Sequence, residues 1–264
     1  MRYFTTRNRA ILREMIVTDF KIRYQGSVLG YLWSLLKPLF MFAIIYVVFT
    51  FVFGLGKGVP HYPVYLLLGI VLWSFFTEAT AVGLGSIVNS GDILRKISIP
   101  RYLIVVASSA SALINLILNL IVVLVFAFIN GVSPEWSWLL LLPILLELYV
   151  LAQAVSFFLA ALNVKFRDTQ HIWELVLQAG FYATPIIYPM SKVPVEFQKI
   201  VLLNPMAQII QDARSVFITD GGTMTIWGQI HSLWVLTPII FIAVVVIAAS
   251  RYFQKRSRTF AEDI

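Results

Sequence analysis

Residues 102–129 read YLIVVASSASALINLILNLIVVLVFAFI, without one charged side chain. A bilayer's hydrocarbon core is about 30 Å thick and takes roughly 20 helical residues to cross. This run is therefore long enough to span it with residues to spare. Inside it Ser111, Asn115 and Asn119 recur at i, i+4 and i+8, a single polar stripe on an apolar helix. Such a stripe bonds a neighbouring helix or lines a path. A water-soluble fold has no use for a helix of this kind.

Working outward, further long apolar runs extend from about Leu35 to Leu55, Tyr62 to Leu84, Trp138 to Leu162, Ile172 to Tyr188 and Ile230 to Ala249. Pro185 should bend or stop the run that contains it. The chain has 264 residues, 59% hydrophobic and 12% charged, and its mean hydropathy is +0.86. Soluble domains carry about 25% charged residues because their surface faces water. The expected fold class is therefore all-α integral membrane, with six transmembrane helices in one domain over residues 1–264. A cleaved signal peptide is not expected, since the first apolar run starts beyond residue 30 and is too long for a signal core.

Lys and Arg gather on the cytoplasmic side of spanning helices. With the N-terminus inside, the inner segments hold sixteen of them and the outer segments only Lys57, Lys192, Lys199 and Arg214. Both termini are expected in the cytoplasm, and the net charge of +7 is a topology signal that needs no nucleic acid. The expected location is a bacterial inner membrane.

No catalytic centre is legible. Cysteine is absent, and His61, His171 and His231 are far apart in the sequence, so no metal site is expected. The string nearest a phosphate-binding G-x-x-x-x-G-K-[ST] loop is Gly54-Leu-Gly-Lys-Gly58, which has the wrong spacing. No Ser-His-Asp order or H-E-x-x-H is present. Glu78, Glu147 and Glu174 lie within or near spans but make no relay across the midplane, which weakens a proton-coupled carrier. Uphill transport would draw on an ion gradient or on a separate ATPase.

Four segments outside the spans carry information. In residues 8–24, Ile11, Leu12, Met15, Ile16 and Phe20 share one helical face, while Arg9, Arg13, Lys21 and Arg23 point toward water and head groups. This is an interfacial helix. It is read either as an anchor or as a basic ledge (Arg13, Lys21, Arg23) for an anionic lipid head group such as a pyrophosphate. The inner connection 89–101 mixes Asp92, Arg95 and Lys96 with Ile93, Leu94, Ile97 and Ile99. A solvated loop does not need those apolar residues, whereas a protein-docking surface does. The inner loop 163–171 holds Arg167 and Asp168, which either pair locally or touch the same partner. Outside, the stretch 189–228 suits two amphipathic helices folded back on the membrane, the second with Met206, Ile209, Ile210, Ala213, Val216 and Phe217 on one face.

Phe42, Tyr46, Phe49 and Phe53 form a stripe on the first span, and Phe181, Tyr182 and Tyr188 lie on the fifth. They read as packing or lipid-facing aromatics, or as stacking surfaces along a glycan path.

Four strings in order resemble one family, the permease subunits of ABC-2 type polysaccharide exporters for O-antigen, capsule and teichoic acid. They are Arg23-Tyr-Gln-Gly-Ser-Val-Leu-Gly-Tyr-Leu-Trp-Ser-Leu-Leu-Lys-Pro38, Asp92-Ile-Leu-Arg-Lys-Ile-Ser-Ile-Pro100, Val164-Lys-Phe-Arg-Asp168, and Thr184-Pro-Ile-Ile-Tyr-Pro189 with Val193-Pro194 and Asn204-Pro-Met206. The resemblance implies a transport subunit rather than an enzyme, moving a lipid-linked polysaccharide out of the cytoplasm. It implies two copies of this chain with two copies of a cytoplasmic ATPase that binds ATP and Mg, this chain holding no cofactor itself. Segment 89–101 would be the coupling helix on that ATPase, with Arg167 and Asp168 as a second contact. Helix 8–24 would lie where the lipid-linked polymer is loaded. The first and fifth spans would border the channel, and the outer helices would gate its exit. An exporter of small lipids or drugs, or an ion-coupled carrier or channel, is the alternative that composition leaves open.

Overall fold

Backbone N–H and C=O groups in hydrocarbon must find partners inside the protein, and a helix supplies them within each segment. The computed structural model describes residues 6–24, 30, 32–96, 99–218, 223–229, 236–257 and 260, apart from the side chains of Phe20, Ile22, Arg23, Tyr24, Ile93, Arg95 and Lys96. Among these residues all regular structure is helical. The order is α1 (Thr6–Tyr24), α2 (Leu32–Val47, continued by a π turn at Val48–Val52), α3 (Tyr62–Asn89), α4 (Gly91–Lys96) and α5 (Arg101–Ile129). A 3₁₀ turn (Trp136–Leu140) leads into α6 (Leu141–Lys165). Then come α7 (Thr169–Ala183), α8 (Val195–Leu202), α9 (Pro205–Phe217), α10 (Ile226–Gln229) and α11 (Thr237–Arg256).

Five helical stretches are long and apolar enough to cross a membrane: Leu32–Val52, Tyr62–Asn89, Arg101–Ile129, Trp136–Lys165 and Thr237–Arg256. The run expected from Ile230 begins in residues outside the described set and continues as α11. The fifth expected run is the short α7. Its 15 residues rise about 22 Å at 1.5 Å each, short of a full hydrocarbon core. Thr184, just before Pro185, is extended at φ −91 and ψ 138, as the residue before a proline prefers. Residues 184–187 are irregular and buried, the condition under which non-helical backbone is tolerated at membrane depth.

α3 is the centre of the bundle. Of its apolar window 72% is buried, against 17–33% for the other four spans, and it packs chiefly on α5 and α6. The α3–α6 contact is close because of Gly83, where an added Cβ would stand 2.5 Å from Ser156 Cβ. Ser156 Oγ donates to Ala79 O at 3.1 Å, and Asn163 Nδ2 to Leu84 O at 3.2 Å, tying the same pair of helices. The polar stripe of α5 bonds neighbouring helices. Asn115 Nδ2 donates to Glu78 Oε1 of α3 at 2.8 Å, and Asn119 Nδ2 to Ser34 O of α2 at 3.1 Å.

At the end where α3, α6 and α11 finish and α5 begins, Ile87, Ile104, Val105, Val164, Phe253 and Phe260 form a second apolar cluster. Leu94 of α4, Tyr102 of α5 and Met15 of α1 pack against it. α1 therefore lies across this end of the bundle, chiefly on α5, with Asn8 Nδ2 donating to the Tyr102 hydroxyl at 3.2 Å.

Candidate functional site

A cleft of about 710 Å³ opens between α2, α3 and α7. α2 contributes Trp33, Lys37 and Met41, α3 contributes Trp73, Thr77 and Glu78, and α7 contributes Leu177, Gln178, Phe181 and Tyr182; Asn115 of α5 reaches its wall. The aromatic wall is built in depth. Trp73 and Phe181 lie edge to face at 6.1 Å, and Phe181 and Tyr182 at 5.4 Å. Trp73 is buried, whereas Trp33 and Tyr182 are more than half exposed, so the cleft opens along the α2–α7 side. Gly180 lets α7 approach: an added Cβ there would stand 2.9 Å from Trp73 Cη2. At the other end of α7, Trp173 Nε1 donates to Thr80 Oγ1 of α3 at 3.0 Å. Flat rings beside a carboxylate, two amides and an ammonium suit a ligand with both apolar faces and hydroxyls.

The expected aromatic residues divide. Phe181 and Tyr182 line the cleft. Phe42 is buried and packs edge to face on Phe126 of α5 at 5.5 Å, and Tyr46 stacks on Phe42 at 5.6 Å. Phe49 stacks on Phe53 at 5.3 Å, and Phe53 is exposed. These four lie outside the cleft wall, as does Tyr188, whose hydroxyl donates to Tyr182 O at 3.0 Å. Trp33, Lys37, Trp73, Glu78 and Gln178 line the cleft without having been marked as site residues by the sequence. A glycine amid apolar residues beside an aromatic, Gly180-Phe181, was the one available signal of a close helix contact.

The expected lipid-side and partner-side residues lie at the α1–α4 end. Arg13 and Lys21 are exposed on α1, and Ile11, Leu12, Met15 and Ile16 are half-buried, the division that the sequence pattern requires. The side chain of Arg23 lies outside the described residues. In the 89–101 connection Asp92 is exposed, while Leu94 is half-buried and turns its surface inward onto the cluster around Ile87 and Ile104. Ile97 and the side chains of Ile93, Arg95 and Lys96 lie outside the described residues. Arg167 and Asp168, between α6 and α7, are both exposed.

Over the opposite end lies α9. Asn204 caps it, accepting from Met206 N at 3.0 Å, with Pro205 in its first turn, as helix starts favour. Its expected apolar face is buried at Met206, Ile209, Ile210, Ala213 and Phe217, and Trp138 stacks on Phe217 at 4.6 Å. The sequence counted Arg214 only as one outer charge, yet its side chain is completely buried. Its Nε donates to Tyr65 O at 3.0 Å, Nη1 to Pro185 O at 2.6 Å and to Gln211 Oε1 at 2.9 Å, and Nη2 to Ile186 O at 2.7 Å. The guanidinium also lies 3.5 Å from the centre of the Tyr65 ring, a cation–π distance. One side chain thus joins α9, α3 and the break that ends α7. Gly69 makes room for it, since an added Cβ would collide with the guanidinium.

Comparison with known proteins adds sequence breadth to this geometry. The sequence model of the ABC-2 type transporter family matches residues 12–218. The chain is 30% identical over 262 residues to the O-antigen export system permease protein RfbA of Myxococcus xanthus, covering 97% of this chain and 96% of that protein. It is 31% identical over 245 residues to a protein of the same name from Klebsiella pneumoniae, covering 92% and 91%. The polysialic acid transport protein KpsM of Escherichia coli is 19% identical over 228 residues, covering 82% and 86%. A match from α1 through α9, on a chain whose described residues form apolar spanning helices with short ones at both ends, is decisive: this multi-pass membrane protein belongs to the ABC-2 type transporter family.

Proposed function

We propose that the chain is the membrane-spanning subunit of an ATP-driven exporter that moves a lipid-linked polysaccharide from the cytoplasm across the inner membrane. The observation that carries this reading is the α2–α3–α7 cleft, whose stacked rings and polar groups match a sugar's apolar faces and hydroxyl edges; the names of the relatives point the same way. Two copies of the chain would face each other across their α2 and α7 sides, enclosing a path between two such clefts. Two copies of a separate ATPase, carrying ATP and Mg, would supply the energy, this chain holding no cofactor. Both termini, α1 and α4 would lie in the cytoplasm. Residues 89–101 would seat on the ATPase with Arg167 and Asp168 beside them, while Arg13, Lys21 and Arg23 would meet the anionic lipid head group. α8 and α9 would cover the outer exit.

The test is deletion of the gene followed by complementation. Loss of surface polysaccharide with accumulation of the lipid-linked polymer inside is expected, and restoration should require both this chain and an ATPase. Unchanged surface glycan, with an altered distribution of a small lipid or drug, would refute the polysaccharide reading. Transport by liposomes holding this chain alone would refute the ATPase.

A further inference from the structure

Asp212 stands two positions before Arg214 on α9, roughly 200° around the helix from it, and is not its partner. Gln208 Nε2 donates to Asp212 Oδ2 at 2.6 Å, and Trp227 Nε1 of α10 donates to the same oxygen at 3.0 Å. Glu147 of α6, on which α9 packs, lies close enough to interact with both Gln208 and Asp212. Asp212 is 7% exposed and Gln208 2%. Three oxygens of this cluster, Glu147 Oε1, Gln208 Oε1 and Asp212 Oδ1, are buried with no donor. An orphaned buried acceptor costs about 1–3 kcal/mol, and more when charged. Two carboxylates sharing one buried site also oppose each other's ionisation.

Among the described residues, the surrounding elements offer no cation to resolve this. α6 brings Glu147 itself and Tyr149, whose hydroxyl already accepts from Gln153. From α3 come Tyr62 and Tyr65, whose hydroxyls donate to Ile187 O and Gln211 Oε1. Glu196 and Lys199 of α8 are exposed. α10 and the 3₁₀ turn before α6 carry no ionisable side chain, and α11 carries none before Arg251. Arg214 spends its donors on Tyr65, Gln211 and the α7 break. A calcium ion takes six to eight oxygens, whereas this cluster offers two carboxyls and one amide and already aims two N–H groups at Asp212. The one donor the cluster can make for itself is a carboxyl O–H.

We propose that Glu147, Gln208 and Asp212 form a proton-binding site, in which at least one carboxyl stays protonated, supplies the donor that the orphaned oxygens lack, and keeps α9 and α10 seated on α6. Burial pushes the Asp212 carboxyl above its ordinary range, while the bonds from Gln208 and Trp227 pull it back. A carboxyl raised in the docked state binds protons more tightly there than when undocked. Docking is therefore fullest below the ordinary carboxylate value and is lost as pH rises through the raised one. Any consequence for the exit path rests on the export reading above; the proton site itself does not.

The test uses the full-length chain in lipid nanodiscs and needs no transported substrate, so its failure is separate from failure of the export reading. Hydrogen exchange of the 205–217 backbone, corrected for its intrinsic pH dependence, should quicken by up to about tenfold per pH unit as pH rises from the ordinary carboxylate range to the raised value, and level off above it. The infrared carbonyl band of a protonated carboxyl should be present at neutral pH. Asp212→Asn and Glu147→Gln put an amide donor where the acid proton was. Each should weaken that band and flatten the pH dependence, and Glu147→Gln carries the test if Asp212→Asn fails to assemble. Absence of the band, or a pH dependence unchanged in both variants, would overturn the proposal. So would protection that follows added calcium or magnesium and ignores protons.

Discussion

Arg214 brings its guanidinium into a buried site and satisfies it with three main-chain carbonyls and an amide rather than a carboxylate. Breaking such a site leaves the acceptors unmatched, so Arg214→Met should lower stability by roughly 3 kcal/mol or more, read as a lower thermal transition in detergent. Lysine cannot reproduce the fork and should restore little. Gly69→Ala removes no polar group but drives the guanidinium from its place, and should cost a comparable amount. Combining it with Arg214→Met should then be little worse than either alone; fully additive losses would mean that the two residues act separately. In the cleft, Tyr182 is exposed and its ring is a stacking surface, so Tyr182→Ala should leave the transition unchanged and slow glycan export several-fold, since stacking on a ring is worth about 1 kcal/mol. Phe53→Ala is the control: equally exposed but outside the cleft wall, it should leave export unaltered.

At the scale of the element, α4 and α7 matter more than their lengths suggest. Leu94 turns inward onto the cluster that joins α1, α5, α6 and α11, so Leu94→Asp would bury a charge and damage the fold itself. A clean test of docking is Asp92→Arg, at an exposed position. It is expected to reduce ATPase co-purification severalfold with no change in thermal transition, and undiminished co-purification would move the docking surface elsewhere. α7 ends before Pro185, but the break does not depend on proline alone. The carbonyls of Pro185 and Ile186 are held by Arg214, so the helix could extend only by giving up bonds that α9 supplies. That is a physical link between the α8–α9 segment and the helix that carries Phe181 and Tyr182.

For the whole molecule, the two ends of the bundle make a prediction about sidedness. The chain has no cysteine, so single cysteines can be placed without background. A membrane-impermeant maleimide should label Ser191→Cys, next to α8, in cells whose inner membrane is intact, and should reach Asp92→Cys only after that membrane is opened. The reverse pattern would invert the topology and with it the assignment of α4 to the ATPase side. Both positions are exposed in the isolated chain, so with the ATPase stripped from the opened membranes, labelling reports the membrane rather than burial.

The sequence alone determined that this is a helical membrane protein with basic residues gathered at one side. Hydrophobic length and charge asymmetry are sums over local residues and need no knowledge of neighbours. For the same reason the amphipathic α1, the polar stripe on α5 and the buried face of α9 were legible, each being a period of about 3.6 along one helix. What only the tertiary structure decided is which surfaces meet. Phe42 and Phe181 are the same residue type on apolar helices, yet one packs against α5 and the other lines the cleft, because α3 stands between them and supplies Trp73. Arg214 reads in the sequence as an outer charge because its acceptors are carbonyls of residues 65, 185 and 186, which no side-chain pattern announces. Glu147 and Asp212 are brought together across 65 positions of chain by the seating of α9 on α6, and that contact turned two scattered acids into one candidate proton site.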